Sequence, residues 1–306
     1  MIKSSLTRGF CYPNTHYASE MSASDRDMIA TSRGMLAKMA SPLLTQMGIT
    51  NITSQPVHFF DNACGTGVLT QELHSMLSND IVQKSSFLCA DKAQNMVDIV
   101  KKRVADEGWT NTKVTTLDAM NTFLPNDTFT HVGLGMSLHM IPDPDAVLND
   151  CKRILKPGGI LGATTFHRNN IFWVPDMRSA FASFPFTAPF PDEVPMQLHA
   201  QGVWTDAVWI EEHLRSQGFR DVVVKVAARK HHVKSAQDFV ATFGVMLGWF
   251  LASWWDEKTR KAHPVSEVRA LVEKHLEEKY NGDDWDVEWT LIVSTCVVDK
   301  GSEHDV

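Results

Sequence analysis

The stretch "VHFFDNACGTGVLTQEL", Val57 to Leu73, restricts what this chain can fold into more than any other. Apolar positions suited to a buried strand run into Asp61, then into Ala63, Gly65 and Gly67, then into a helical pattern. Small residues at those three positions let the main chain bend sharply and let a ligand approach the backbone. Free N–H groups at the start of the following helix favour a polar ligand there. The spacing A-C-G-T-G lacks the third glycine of a dinucleotide fingerprint, which disfavours close packing against a pyrophosphate.

Downstream, strand and helix patterns alternate. "SSFLCAD", "KVTTLDA", "FTHVGLGMSL" and "GGILGATTF" read as strands, and "AQNMVDIVKKRVADEG" and "DPDAVLNDCKRIL" as helices. That order predicts parallel strands with helical crossovers in a doubly wound α/β sheet. The alternation pauses at 167–205, a segment rich in Pro, Phe and Trp, and resumes with a helix, "TDAVWIEEHLRSQG", and a strand, "RDVVVKVAARK". Residues 235–282 read as two helices split by Pro264, and "DWDVEWTLIVSTCVVDK" as a long closing strand. Ahead of the sheet, residues 22–48 read as helical, with Pro42 expected to break or restart the pattern. The expected organisation is a helical lid over 1–50 and a catalytic domain over 51–306, with insertions at about 167–205 and 235–282.

Two more acids fall at strand ends. Asp91 closes the second strand, where a carboxylate either accepts both hydroxyls of a ribose or caps the helix that follows. Asp118 closes the third, where it is placed to accept an adenine amino group. Three polar elements at successive strand ends point to one crevice.

With these motifs in place, "DNACGTGVLTQEL", "CADKAQNM", "LDAM" and "SLHMIPDPDAVLNDCKRILKPGGILGATTF" resemble the class I methyltransferases that use S-adenosyl-L-methionine (SAM) and release S-adenosyl-L-homocysteine. The likeness is strong over residues 57–166 and looser beyond 206. The appended helices are similar to those of small-molecule enzymes, particularly fungal secondary-metabolite methyltransferases of the gliotoxin thiomethyltransferase type. The resemblance implies a Rossmann-like sheet of seven strands with an antiparallel last strand and helical lid insertions. It also implies that Asp61, Ala63, Gly65 and Gly67 cradle the methionine and ribose of SAM, Ala63 standing where the family has its first glycine. Asp91 would hold the ribose, Lys92 and Met96 would lie near the adenine, Asp118 and Ala119 at its edge, and Gly135 and Met136 at the methionine end. By the same resemblance, the segment holding His16 and Tyr17 would close over the cofactor.

Methyl transfer is a displacement that depends mainly on alignment, and a base is needed only for an acceptor that is protonated. His139, after the fourth strand, and His167, at the end of the fifth, are the candidate bases, a structural hydrogen bond being the alternative for each. Trp173 in the first insertion and Phe243, Met246 and Leu247 in the second, with Tyr17, are candidate lining for an apolar acceptor. The expected activity is methylation of an S, O or N atom of a small apolar metabolite in secondary metabolism. The alternative is a SAM-binding relative that catalyses a rearrangement or regulates a partner.

Composition narrows the partners. A net charge of −7 argues against a general nucleic-acid binder. The basic clusters "KKR" (Lys101 to Arg103) and "RKHHVK" (Arg229 to Lys234) read as a solvated helix face and a solvated strand end. Five scattered cysteines with no CxxC or HExxH pattern predict a cytoplasmic protein without a metal, Asp143 and Asp145 being explained as acids in a helix's first turn. No run of 18 apolar residues suggests a membrane partner.

Overall fold

The computed structural model describes residues 28–29 and 32–301. Tyr17 and His16 lie outside the described residues.

In chain order, a π-helical turn (Ser32–Leu36) leads into α1 (Ala37–Gln46), then β1 (His58–Asn62), α2 (Val68–Met76), α3 (Asn79–Lys84) and β2 (Ser86–Asp91). Next come α4 (Gln94–Glu107), β3 (Thr112–Thr116), β4 (Phe129–Gly135), α5 (Pro144–Ile154) and β5 (Leu155–Phe166). The remainder is α6 (Val174–Ala182), α7 (Ala207–Ser216), β6 (Phe219–Val233), α8 (Ala236–Phe243), α9 (Val245–Trp254), α10 (Glu257–Ala262), α11 (Val265–Tyr280) and β7 (Trp285–Val298). The strands form one seven-stranded sheet in the order β3-β2-β1-β4-β5-β7-β6. β7 pairs antiparallel with both of its neighbours, and the pairs β3–β2, β2–β1, β1–β4 and β4–β5 are parallel. The strand order reverses between β1 and β4, which opens a crevice beyond their C-terminal ends.

Each face of the sheet is covered. Phe59, Phe87 and Val293 pack with Leu43, Leu44 and Met47 and with Leu69 and Leu73. Phe60, Val132, Leu134, Ala163 and Ile292 pack with Val147, Leu148, Ile154, Ile210 and Leu214 of α5 and α7. Glycine sets how closely two helices press on the sheet. A Cβ on Gly133 of β4 would lie 2.6 Å from the Phe59 ring and 2.7 Å from Leu69 of α2. One on Gly162 of β5 would lie 2.5 Å from Met47 Sδ, just past α1.

Several local expectations change. Pro42 does not break α1, because Leu43 and Leu44 beside it are fully buried and hold the helix through the one lost backbone bond. The third strand ends at Thr116, so Asp118 stands in the turn beyond it. The second insertion holds four helices rather than two: Gly244 separates α8 from α9, Asp256 caps α10 by accepting the Thr259 N–H at 2.7 Å, and Pro264 precedes α11. The first insertion contributes α6. Together these helices pack Phe181, Phe239, Phe243, Phe250 and Val272 with Trp289 and Leu291 of β7 into a second, mainly apolar core, the cap.

Because Gly133 is wedged between an aromatic ring and a helix, Gly133→Ala is expected to destabilise the protein by roughly 1–3 kcal/mol through overpacking. A lowered urea midpoint with an unchanged slope would show it.

Candidate functional site

The turn after β1 is held by bonds that cross the sheet. Ala63 (φ 54°) and Gly65 (φ 52°) adopt left-handed backbone, as does Gly67 (φ 79°) immediately before α2. The Cys64 N–H donates to the Ala90 carbonyl at 2.9 Å, and the Gly67 N–H to the Cys64 carbonyl at 2.8 Å. A Cβ on Gly67 would press on the Trp109 ring at 3.2 Å, whereas the space at Gly65 is open, with nothing within 4 Å. Gly67 is therefore needed for packing, and Gly65 presents bare backbone to the crevice.

Asp91 ties the turn to the second strand. One carboxylate oxygen accepts the Gly65 N–H at 2.9 Å and the other the Ala93 N–H at 2.9 Å, at the start of α4. A carboxylate has about four acceptor positions, so two remain for hydroxyl donors. Asp61, buried beneath the turn, accepts the backbone N–H of Thr70 at 3.2 Å and its hydroxyl at 2.8 Å, joining β1 to the first turn of α2. Burial pushes its carboxyl up to about 7, against the pull of the two Thr70 bonds.

Arg103 was read with its neighbours as part of a solvated face, and the structure corrects that. Lys101 and Lys102 are exposed, but the Arg103 side chain is only 1% exposed. It donates to the Thr66 carbonyl at 2.6 Å, to Gln71 and to Glu107, and lies 4.7 Å over the Trp109 ring. Its helical phase points it at the turn, and Glu107 four residues on gives it a partner; that i,i+4 pair is the signal the sequence carried.

The other predicted residues divide into groups. Lys92 pairs with Asp118 at 2.8 Å, and Asp118 also accepts the Met120 N–H at 3.0 Å. Burial pushes the Asp118 carboxyl up, but these contacts outweigh it and hold the group below the usual carboxylate range. Met96 is half-buried on α4, and Ala119 is buried in the core beneath the crevice. Gly135 ends β4, next to β1 in the sheet, and Met136 (φ 57°) donates its N–H to Thr164. Asp143 caps α5 through the Ala146 N–H at 3.0 Å, and Asp145 meets His213 at 2.7 Å.

His139 is buried, with the edge of its ring 5.1 Å between centroids from Phe166. Its Nδ1 has no hydrogen-bond partner among the described residues. Burial, and then His199, push its pKa down to about 3, so the ring is neutral at physiological pH. His199, which the sequence did not single out, contacts the Leu138 carbonyl at 2.8 Å, and the Leu198 N–H donates to the His139 carbonyl at 2.8 Å. The first insertion thus lies over the loop after β4. His167, by contrast, is half-buried, and its Nδ1 accepts the Asn169 N–H at 3.1 Å. Trp173, Met246 and Leu247 pack with Phe181 and Phe250 of the cap and leave no room for a water molecule. Phe243 faces a different way, onto Phe172 and His231.

Residues 45–192 match the ubiE/COQ5 methyltransferase family. The methyltransferase tpcH of Aspergillus fumigatus is 30% identical over 246 residues, covering 80% of this chain and 85% of that one. The acetylaranotin bis-thiomethyltransferase of Aspergillus terreus is 27% identical over 258 residues, covering 84% and 88%. Among solved structures, phosphoethanolamine N-methyltransferase 2 of Haemonchus contortus, in complex with phosphomonomethylethanolamine and S-adenosylhomocysteine, shares the fold. Its TM-score is 0.51 at 16% identity, over 91% of this chain and 59% of that one. The chain belongs to the class I SAM-dependent methyltransferases, and it is an enzyme of methyl transfer.

The raised carboxyl of Asp61 makes stability depend on pH. Between 3.8 and about 7 the folded state holds a proton that the unfolded state has released, so this contribution is full below 3.8 and is lost as pH rises through about 7. Asp61→Asn removes that titration. Urea unfolding of the free protein should show the variant gaining on the wild type as the pH is raised from 5 to 8.

Proposed function

We propose that this chain methylates a sulfur, oxygen or nitrogen atom of a small apolar metabolite, in chemistry of the kind fungal secondary metabolism uses. The observation that carries the reading is the Asp91 carboxylate. It is anchored to the backbone of the glycine turn, keeps acceptor positions free, and stands at the end of β2 beside the crevice. When bound, SAM supplies an electrophilic methyl group, and the acceptor's lone pair forms the new bond as the old bond's electrons return to sulfur.

In this reading Asp91 accepts the ribose hydroxyls and Gly65 lets the main chain come close to the ligand. The Lys92–Asp118 pair, with Met96 and Ala119, frames the adenine. Gly135 and Met136 line the methionine end, and Asp61 and Ala63 shape the turn from beneath. The open space at Gly65 and the spare acceptor positions of Asp91 fit such a group. Phe166 and Phe172, packed ring to ring beside His139, exclude water from the reacting end.

Of the two histidines, His139 is the one with an unpartnered ring nitrogen inside the fold, because the Nδ1 of His167 already receives the Asn169 N–H. A ring with a pKa near 3 is a weak proton acceptor toward a phenol or thiol, so His139 serves as a hydrogen-bond acceptor that orients the substrate. The acetylaranotin enzyme's name places methyl transfer to sulfur among the chemistries of its relatives, which favours an acceptor whose own ionisation makes a strong base unnecessary.

The test is mass-resolved methyl transfer from labelled SAM to a panel of apolar thiols, phenols and heteroaromatic amines. A gain of one methyl on one acceptor class is expected. Asp91→Ala should weaken cofactor binding by about 10–100-fold, as loss of hydrogen bonds to a charged group implies. Failure of S-adenosylhomocysteine to bind the wild type in a calorimeter would overturn the cofactor assignment. Cofactor binding with no methyl transfer to any member of the panel would overturn the acceptor class.

A further inference from the structure

β5 ends at Phe166, which lies opposite Leu291, but β6 and β7 continue beyond that point. Thr290 to Trp285 pair with Ala228 to Val233. Six residues of two-stranded ribbon, about 20 Å at strand rise, therefore overhang the end of the sheet where the crevice opens. Alternation assigns the faces. His231, Val233, Val287 and Trp289 are buried, while His232 between them is exposed. His231 is paired with Val287, and Trp289 lies two residues on along the neighbouring strand, so the two side chains are diagonal neighbours on one face.

That face is the wall of the apolar cap, and it holds polar atoms with nothing to bond. Among the described residues neither ring nitrogen of His231 has a hydrogen-bond partner, and neither does the indole Nε1 of Trp289. His231 is 9% exposed and Trp289 1%. Each such atom left bare costs about 1–3 kcal/mol. Comparable groups nearby are satisfied. The Trp285 Nε1 donates to Asp176 at 3.0 Å, the Trp255 Nε1 donates to the Pro189 carbonyl at 2.9 Å, and His232 lies 3.3 Å from Asp286. Ser137, His139, Thr165 and Trp204 also hold buried polar atoms without partners among the described residues, and what sets His231 and Trp289 apart is that they stand as neighbours on one face of the cap, amid groups that are satisfied.

The position has a link to the reacting end. The His231 ring meets Phe243 at 6.0 Å between centroids, Phe243 meets Phe172 at 5.2 Å, Phe172 meets Phe166 at 5.7 Å, and Phe166 meets His139 at 5.1 Å. One continuous run of rings joins the loop after β4 to the overhanging ribbon.

We propose that His231 and Trp289 form a polar anchor for the acceptor, resting on the small apolar acceptor proposed above. The acceptor class this defines is a neutral, ring-bearing molecule with a hydroxyl or carbonyl group at the end remote from the methylated atom. The indole offers one donor, and a neutral imidazole offers one donor and one acceptor, a set that matches a hydroxyl or a carbonyl. Burial, and then the Lys38 ammonium, hold the His231 ring below its usual pKa and so in that neutral form. A site that binds the polar group of one ligand rejects the analogue lacking it far more strongly than an apolar pocket distinguishes two sizes.

The experiment uses the full chain with S-adenosylhomocysteine bound, and 2-naphthol and naphthalene as probes. Affinities are measured by calorimetry, and the His231 ring nitrogens are followed by NMR, assigned by the signal that His231→Gln removes. Naphthol is expected to bind about tenfold more tightly than naphthalene and to shift the His231 signal. That preference should fall below twofold in His231→Phe and in Trp289→Phe, and be partly retained in His231→Gln, with S-adenosylhomocysteine affinity and the thermal midpoint close to wild type in Trp289→Phe. Equal affinity for the two probes, an unmoved His231 signal, or a preference that survives both aromatic substitutions would overturn the proposal. Absence of methyl transfer with the preference intact would strike the reaction proposed above and leave this anchor standing.

Discussion

Everything the crevice offers a ligand depends on the two hydrogen bonds that the Asp91 carboxylate accepts from Gly65 and Ala93. They fasten a left-handed turn, which by itself has little to hold it, to the end of a strand that is part of the rigid sheet. Asp61 and Arg103 complete the fastening from below and behind. One ties the strand to the first turn of α2, and the other holds the Thr66 carbonyl from α4. Polar groups so deeply placed are costly unless hydrogen-bonded, and here the bonds also fix pieces of backbone. The same contacts that make the burial tolerable shape the turn.

The cap is built on a different principle. Its aromatic side chains meet edge to face and tilted, with little space between them. Polar contacts fasten it at separate points: Ser179 lies 2.8 Å from His275, Arg178 donates to the Pro191 carbonyl at 2.9 Å, and Asp176 gathers Lys279, Tyr280 and the indole of Trp285 and so joins α6 and α11 to β7. In the function proposed above, the small polar turn would hold the cofactor beside an apolar cap, as suits a donor that is always the same and an acceptor recognised by shape and a few polar contacts.

Much of the turn after β1 and its surroundings was legible in the chain because the signals are local. Small residues at 63, 65 and 67, acids at strand ends, and the change from strand to helix periodicity are all read within a few residues. The second insertion was less legible. Gly244 separates α8 from α9 and Asp256 starts α10 where the cap turns, and a nearly continuous apolar stretch gave no period to mark the corners. Pro42 misled for a related reason, since burial of its neighbours outweighs the local preference it carries.

The two basic clusters show where local reading ends. "KKR" and "RKHHVK" are each mostly solvated, as their charge suggests, yet each turns residues inward: Arg103 toward the glycine turn, and His231 and Val233 toward the cap. By itself the sequence determined the order of elements, the turn and the acids that face the crevice, because backbone sterics and side-chain periodicity act over short spans. Only the tertiary structure decided which buried polar groups have partners, because those partners come from segments far apart in the chain. Arg103 finds Thr66 and Gln71 in the turn and in the helix beside its own, while His231 and Trp289 find none among the described residues.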